Sequence, residues 1–192
     1  MAVEIEAKIK VDDLAPTRAK LQEAGAKFVA DQAEINAIFD TDDRSLLAAD
    51  KGLRVRSAKD LKTGAETCTM TFKGPRKHSA LKSRQENELK VEQFQAAVEL
   101  LEALSFHQVL AFEKRRQSWE LGGCKVELDE LPHLGCFVEI EGHSEKAIQK
   151  VQETLGLGHR PIVKTAYVGL MMTYLQDHGH SDRFVRFPVA SA

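Results

Sequence analysis

The residues best suited to chemistry in this chain are like-charged pairs spaced two apart. Glu4 and Glu6 open the series, followed by Arg54/Arg56, Glu86/Glu88, Lys114/Arg116 and Glu139/Glu141. In a strand, residues two apart project from the same face. Each pair therefore sets two like charges side by side, and something must lie between them. On a solvent face that partner is water, and any single pair is an ordinary wet strand. The set of five, with Lys8 and Lys73 added, reads instead as the two halves of one site. The acidic positions offer oxygen ligands to hard cations such as Mg²⁺ or Mn²⁺. The basic positions suit a polyanion whose oxygens bridge metal and guanidinium groups, as those of a triphosphate do.

The elements that must carry these charges follow from the alternation of apolar residues. In the first strand Val3, Ile5, Ala7, Ile9 and Val11 share one face, while Glu4, Glu6, Lys8 and Lys10 share the other. Asp12 or Asp13 can cap a helix through Leu14, Leu21 and Ala24, with Pro16 tolerated in its first turn. Further strands are expected over roughly 28–40, 53–56, 66–73 and 82–91, with a short helical connection at 42–50. An amphipathic helix spans 93–104, and 106–121 is one long strand or a strand pair, with Trp119 facing away from Lys114 and Arg116. Two more strands, 125–129 and 137–141, precede a helix capped by Ser144, and 164–177 closes the chain as a helix or a strand then a helix. About eight strands with few helices imply an α+β chain, mainly antiparallel β, whose sheet curls and closes.

Composition excludes several classes of function. The 192 residues, 43% apolar and 29% charged, fit one soluble domain, expected over 1–177 with a loosely held tail at 178–192. A net charge of −2 gives no bulk attraction to nucleic acid or to an anionic membrane. No apolar run reaches membrane-spanning length, and the N-terminus lacks a signal-peptide pattern. Cys68, Cys124 and Cys136 lack metal-type spacing and fit reduced thiols of a cytoplasmic protein. His178 and His180, in the tail, are read as incidental. An exposed helix face or sheet edge could support a homodimer.

In their order along the chain, these residues resemble a known family. Glu4-x-Glu6-x-Lys8, Leu53-Arg54-Val55-Arg56, Thr71-Phe72-Lys73-Gly74-Pro75, Arg84-x-Glu86-x-Glu88, Glu113-Lys114-x-Arg116, Leu128-Asp129, Gly135-x-Phe137-Val138-Glu139-Ile140-Glu141 and Lys164-x-x-Tyr167 are similar to the CYTH superfamily. These are the triphosphate tunnel metalloenzymes, which include class IV adenylyl cyclases, thiamine triphosphatases and inorganic tripolyphosphatases. The steps at Lys73-Gly74-Pro75, Lys82-Ser83-Arg84 and Phe112-Glu113-Lys114 look most like the cyclase-type branch.

The resemblance implies an eight-stranded closed antiparallel barrel with helices packed outside. It implies Mg²⁺ or Mn²⁺ held by Glu4, Glu6 and Glu139, with Glu141 and Asp129 as ligands or orienters. Lys8, Arg54, Arg56, Lys73, Lys114 and Arg116 match the residues that hold the triphosphate, with Lys8, Lys114 and Arg116 closest to the reaction. Arg84 and Lys164 match further phosphate contacts, and Glu86 and Glu88 match residues that orient neighbouring cations. Phe39 stands where relatives often have Tyr. The reaction implied first is cyclisation of ATP to cyclic AMP and pyrophosphate. The alternative is hydrolysis of tripolyphosphate, thiamine triphosphate or a nucleoside triphosphate, and a third reading is a non-catalytic polyphosphate or nucleotide binder.

Overall fold

Alternation of apolar and charged residues sets the strands of this chain, and glycines or polar turns end them. The computed structural model describes residues 3–76, 82–180 and 183–188. Within them run β1 (Val3–Val11), α1 (Ala15–Glu23), β2 (Lys27–Asp40), α2 (Ser45–Ala48), β3 (Gly52–Asp60), β4 (Glu66–Arg76) and β5 (Lys82–Val91). There follow α3 (Phe94–Ala103), β6 (His107–Leu121), β7 (Cys124–Leu131), β8 (Gly135–Gly142), α4 (Glu145–Thr154), α5 (Tyr167–Asp177) and β9 (Phe184–Val185). The stretch 106–121 is thus one strand, and Ser144 caps α4 by accepting from the Ala147 amide at 3.2 Å.

The strands form one sheet in the order β2-β3-β4-β5-β1-β8-β7-β6-β9, and β2 also pairs with β6 from Lys27↔Glu120 to Asp40↔His107. Every neighbouring pair is antiparallel except β6–β9. The sheet curls, but it is not the continuous closed barrel that the resemblance implies. Among the described residues β1 meets β5 over four register pairs, Val3↔Gln85 to Glu6↔Lys82. Because Val3 already faces Gln85, the rest of β5 runs past the start of β1, and Glu86–Val91 has β4 as its partner strand. The outer edge of β1 is taken further on by a short segment, where Ile9 bridges Ile162 and the Val163 amide donates to the Lys8 carbonyl at 2.7 Å. The wall is therefore open along this seam.

The outward faces are apolar and lie under helices. Leu21 of α1, Ile148 and Val151 of α4, and Leu155 just after α4 pack on Ala7, Ile9, Val126, Val138 and Ile140, with Trp119 beside them. Ala97, Val98 and Leu101 of α3 cover Ala37, Phe39, Val55 and Ala111. Each fully buried Leu or Ile in these layers contributes roughly 1.5–3 kcal/mol. Phe39, 1% exposed, faces outward here, so a hydroxyl at this position would not enter the interior.

The fifth helix departs from the expectation that all helices lie outside. Met171 and Leu175 of α5 pack with Leu110, Phe112, Leu131 and Phe137. Those residues alternate in phase with Lys114, Arg116, Asp129 and Glu139, on the inward face, so α5 plugs one end of the interior with an apolar stopper. Part of the C-terminal stretch read as a loose tail is placed against the sheet. β9 pairs in parallel with Ala111 and Phe112, Val185 is buried, and the Phe187 amide donates to Glu113 at 2.9 Å. The tail binds there because β7 pairs with β6 only from Arg115 onward, leaving that edge of β6 open before it. The remaining tail residues 181–182 and 189–192 lie outside the described residues.

Candidate active site

Residues opposite one another in a sheet share a face, so the register says which charges meet. Lys8 lies opposite Glu139, which lies opposite Glu127. Arg116 lies opposite Asp129, and Lys114 opposite Glu34. Arg56 stands between Asn36 and Thr69, and Arg54 faces Thr71, which faces Glu88. Lys73 faces Glu86, and Glu6 faces Glu141. Of the like-charged pairs read from the sequence, Arg54/Arg56, Glu86/Glu88, Lys114/Arg116 and Glu139/Glu141 lie on strand faces that line one interior, on strands distant in sequence.

The deepest group centres on Arg116. Its Nε donates to Asp129 Oδ1 at 2.6 Å and a terminal nitrogen donates to Glu139 at 2.7 Å. Lys8, 2% exposed, pairs with Glu139 at 3.4 Å, donates to the Thr165 carbonyl at 3.1 Å and lies 4.1 Å over the Tyr167 ring. Tyr167 donates its hydroxyl to Asp129 at 2.8 Å. Lys114 pairs with Glu34 at 3.0 Å and with Asp129 at 3.7 Å. Burial pushes the Glu34 carboxyl up, but Lys114, Arg116 and Arg56 outweigh it and hold the group well below the usual carboxylate range. Burial dominates at Asp129, whose carboxyl is raised although Arg116 and Lys114 pull it down. Burial, with Asp129 and Glu139 adding to it, also raises the Tyr167 phenol well above its ordinary value.

A second group lines β3, β4 and β5. Glu88 pairs with Arg54 at 3.7 Å and with Arg56 at 3.6 Å, and Arg56 reaches Glu34 at 3.7 Å. Arg54 donates to Thr71 Oγ1 at 3.1 Å, and that hydroxyl donates to Glu88 at 2.9 Å. Lys73 is paired with Glu86, whose carboxyl is raised by burial but lowered overall by Lys73. Burial, with Arg56 next to it, lowers the Arg54 guanidinium from its ordinary value.

Of the site residues expected from sequence, the structure gathers Lys8, Arg54, Arg56, Lys73, Lys114, Arg116, Glu86, Glu88, Asp129 and Glu139 into these ion pairs. Glu6 and Glu141 are half-buried register partners two positions from Lys8 and Glu139. Arg84 is half-buried and stands opposite Glu4 in register, while the Glu4 side chain falls outside the described set. Lys164 is exposed on the segment before α5, and the ion pairs above do not include it. Asp129 is turned to Arg116, Lys114 and Tyr167. Among the described residues no three His, Cys, Asp or Glu side chains converge as metal ligands. The donor chemistry of Glu6, Glu139 and Glu141 nonetheless fits a hard divalent ion, since all are carboxylates on one stretch of wall.

Two members of the cluster, Glu34 and Glu127, are not picked out by the sequence, and a third, Tyr167, is given no role by its motif. Glu34, 2% exposed, lies with Asn36 on the inward face of β2, opposite the apolar face of Ala37 and Phe39. That alternation was its only signal, for Glu34 belongs to no like-charged pair. Glu127 shares a face with Asp129 and accepts from Ser118 at 2.6 Å and pairs with Lys125 at 2.6 Å. Tyr167 closes the Lys164-x-x-Tyr167 motif, but from sequence it reads as an apolar position of the closing helix rather than a partner of Asp129.

The CYTH domain family model matches residues 2–161. The chain belongs to the CYTH family. A Methanocaldococcus jannaschii protein named "putative adenylate cyclase" is 25% identical over 177 residues, covering 88% of this chain and 98% of that protein. Two solved structures share the fold. The PH1819 protein of Pyrococcus horikoshii superposes with a TM-score of 0.77 at 24% identity, over 89% of this chain and 99% of that one. A Hippeastrum protein described as a "putative adenylyl cyclase" with a dominant triphosphatase activity superposes with a TM-score of 0.70 at 16% identity, over 91% and 96%. No helix among the described residues of the CYTH chain is long and apolar enough to cross a membrane.

Proposed function

We propose that this CYTH protein is a divalent-metal-dependent enzyme acting on a triphosphate, first of all a class IV adenylyl cyclase-like enzyme that converts ATP to cyclic AMP and pyrophosphate. The observation that carries the reading is the inward ring of buried and half-buried cations, each already opposed by a carboxylate. Phosphoryl chemistry asks a protein mainly to position groups and to neutralise developing charge, and fixed buried cations do both. Lys8, Lys114 and Arg116 act at the reacting phosphorus, where they are most buried. Arg54, Arg56, Lys73 and Arg84 orient the remaining phosphates, with Glu86 and Glu88 holding those cations in place. Asp129 fixes Arg116 and Tyr167. Glu6, Glu139 and Glu141, with Glu4, hold the Mg²⁺ or Mn²⁺, which supplies positive charge and Lewis acidity to the phosphate oxygens.

In cyclisation the 3′-hydroxyl of ATP attacks the α-phosphorus, the α–β bond breaks, and pyrophosphate leaves. The motifs shared with the cyclase-type branch and the name of the Methanocaldococcus relative favour this reaction. Hydrolysis is the second reading, favoured by the activity of the Hippeastrum protein. There water attacks the terminal phosphorus and orthophosphate leaves from the same cradle.

The test is product analysis with Mg²⁺ or Mn²⁺ on ATP, tripolyphosphate and thiamine triphosphate offered separately. Cyclic AMP with pyrophosphate supports the first reading, and orthophosphate with no cyclic product supports the second. Absence of turnover with triphosphate binding intact makes the protein a binding module and overturns both.

A further inference from the structure

Within the interior one stretch of wall carries more hydrogen-bond donors than the protein itself satisfies. It lies on β3 and β4, where Arg54 faces Thr71 and Arg56 faces Thr69. Thr71 and Thr69 are two residues apart on the same strand face, yet they differ. The Thr71 hydroxyl accepts from Arg54 and donates to Glu88, so both of its roles are used. The Thr69 hydroxyl, on a residue only 8% exposed, has no hydrogen-bond partner among the described residues. The Nε of Arg54 is likewise buried and unpartnered. Arg56 reaches its carboxylates only at 3.6 and 3.7 Å, beyond ordinary hydrogen-bond length.

An unpaired buried hydroxyl costs about 1–3 kcal/mol, so a threonine here is a poor choice for stability alone. Valine has the same shape and would remove that cost. The neighbouring outward positions, Cys68 and Met70, face the α3 side of the wall, so Thr69 is held toward the interior by strand alternation. What the three groups lack is an acceptor, and an acceptor with several lone pairs suits all of them. We infer that Thr69 Oγ1, Arg54 Nε and the Arg56 guanidinium form a phosphoryl-oxygen subsite, with Thr69 a substrate-positioning residue. This rests on the triphosphate reading above. Arg54 and Arg56 supply charge to the bound phosphate, and Thr69 supplies a neutral, directional donor that fixes its rotation. Its hydroxyl leaves the carboxylates of Glu34 and Glu88 with their existing partners.

The experiment is calorimetric titration of the purified full chain with inorganic tripolyphosphate and Mg²⁺, for wild type, Thr69→Val and Thr69→Ser, alongside thermal unfolding of each. Thr69→Val is expected to bind about tenfold more weakly, the worth of one hydrogen bond to a charged acceptor. Thr69→Ser, which keeps the hydroxyl, is expected to stay within about threefold of wild type. The melting temperature of Thr69→Val is expected to equal or exceed that of wild type, because the valine leaves no unpaired hydroxyl. Equal affinity for wild type and Thr69→Val overturns the subsite. So does weaker binding accompanied by a lowered melting temperature, which is what a merely structural hydroxyl gives. If wild type binds no tripolyphosphate, the triphosphate reading falls and the subsite falls with it, an outcome distinct from the other two.

Discussion

Glu34 offers the sharpest test of the buried ion-pair network, because it is nearly inaccessible and opposes two cations at once. Replacing it by glutamine keeps the shape of the side chain but removes the charge facing Lys114 at 3.0 Å and Arg56 at 3.7 Å. At an effective dielectric of roughly 20, the Lys114 attraction alone is about 5 kcal/mol. Part of that is offset, since a neutral amide is cheaper to bury than a carboxylate, and Lys114 keeps Asp129 at 3.7 Å. The net loss expected is about 3 kcal/mol, at the low end for breaking one side of a buried pair. Urea unfolding at pH 7 reads it as a lowered midpoint with an unchanged slope. The sign of the pH dependence is fixed by the depressed carboxyl. Its stabilisation is fully present above the ordinary value of 4.5 and is lost as pH falls toward the folded-state value. The gap between wild type and Glu34→Gln should therefore be widest near neutrality and narrow below about pH 4.5. A variant within about 0.5 kcal/mol of wild type at pH 7 would refute the reasoning. A gap that stays constant from neutral to acid pH would refute it as well.

Glu139→Gln is expected to abolish metal-dependent turnover and also to lower stability by about 1–3 kcal/mol, because Glu139 opposes both buried Lys8 and Arg116; activity near wild type sinks its assignment as a ligand. Arg54→Ala is expected to raise KM about tenfold or more with a smaller change in kcat, since it removes a charge-assisted contact to bound phosphate. An unchanged KM in steady-state kinetics would put Arg54 outside the substrate site. Val185→Asp buries a charge where β9 meets β6 and is expected to cost about 2–4 kcal/mol in thermal or urea unfolding. A cost under about 0.5 kcal/mol would mean the tail contributes nothing to the fold.

The inward charges were legible because a strand announces its two faces in alternate residues. Like-charged pairs such as Arg54/Arg56 and Lys114/Arg116, on separate strands, could be assigned to one interior without knowing the strand order. Glu34 escaped because its neighbours on the same face, Asn36 and Ile38, are uncharged, so only the pairing of β2 with β6 reveals that it meets Lys114. The fate of α5 was hidden for a related reason. An apolar stripe says that a helix face is buried, and says nothing about which side of the sheet receives it. The receiving surface here is made of Leu110, Phe112, Leu131 and Phe137, inward residues that break the charged pattern only at one end of their strands. The open seam depends on a register offset between β1 and β5, which no local pattern encodes. The bound tail depends on where β7 leaves β6, a property of two strands it does not itself belong to.

The charge balance of the interior bears on how such a site would work. Lys8, Lys114, Arg116, Arg56 and Lys73 each have a carboxylate within ion-pair distance before any ligand arrives. The desolvation of these cations is therefore already offset by the fold, and their positions are set by the sheet. A phosphate chain entering the site adds negative charge to a wall whose carboxylates already match its cations. It can be accommodated only if cations arrive with it or if carboxylates turn away. Glu139 is placed for the second course, being 14% exposed and shared between Lys8 and Arg116, with Glu141 and Glu6 beside it on the same face. If Glu139 turned from the two basic residues to a divalent ion, Lys8 and Arg116 would be released toward phosphate in the same movement. Asp129, fully buried and held by Arg116 and Tyr167, would remain behind as the fixed counterion of Arg116 and Lys114. Metal and triphosphate would then bind cooperatively, because each supplies the charge that frees the other's ligands.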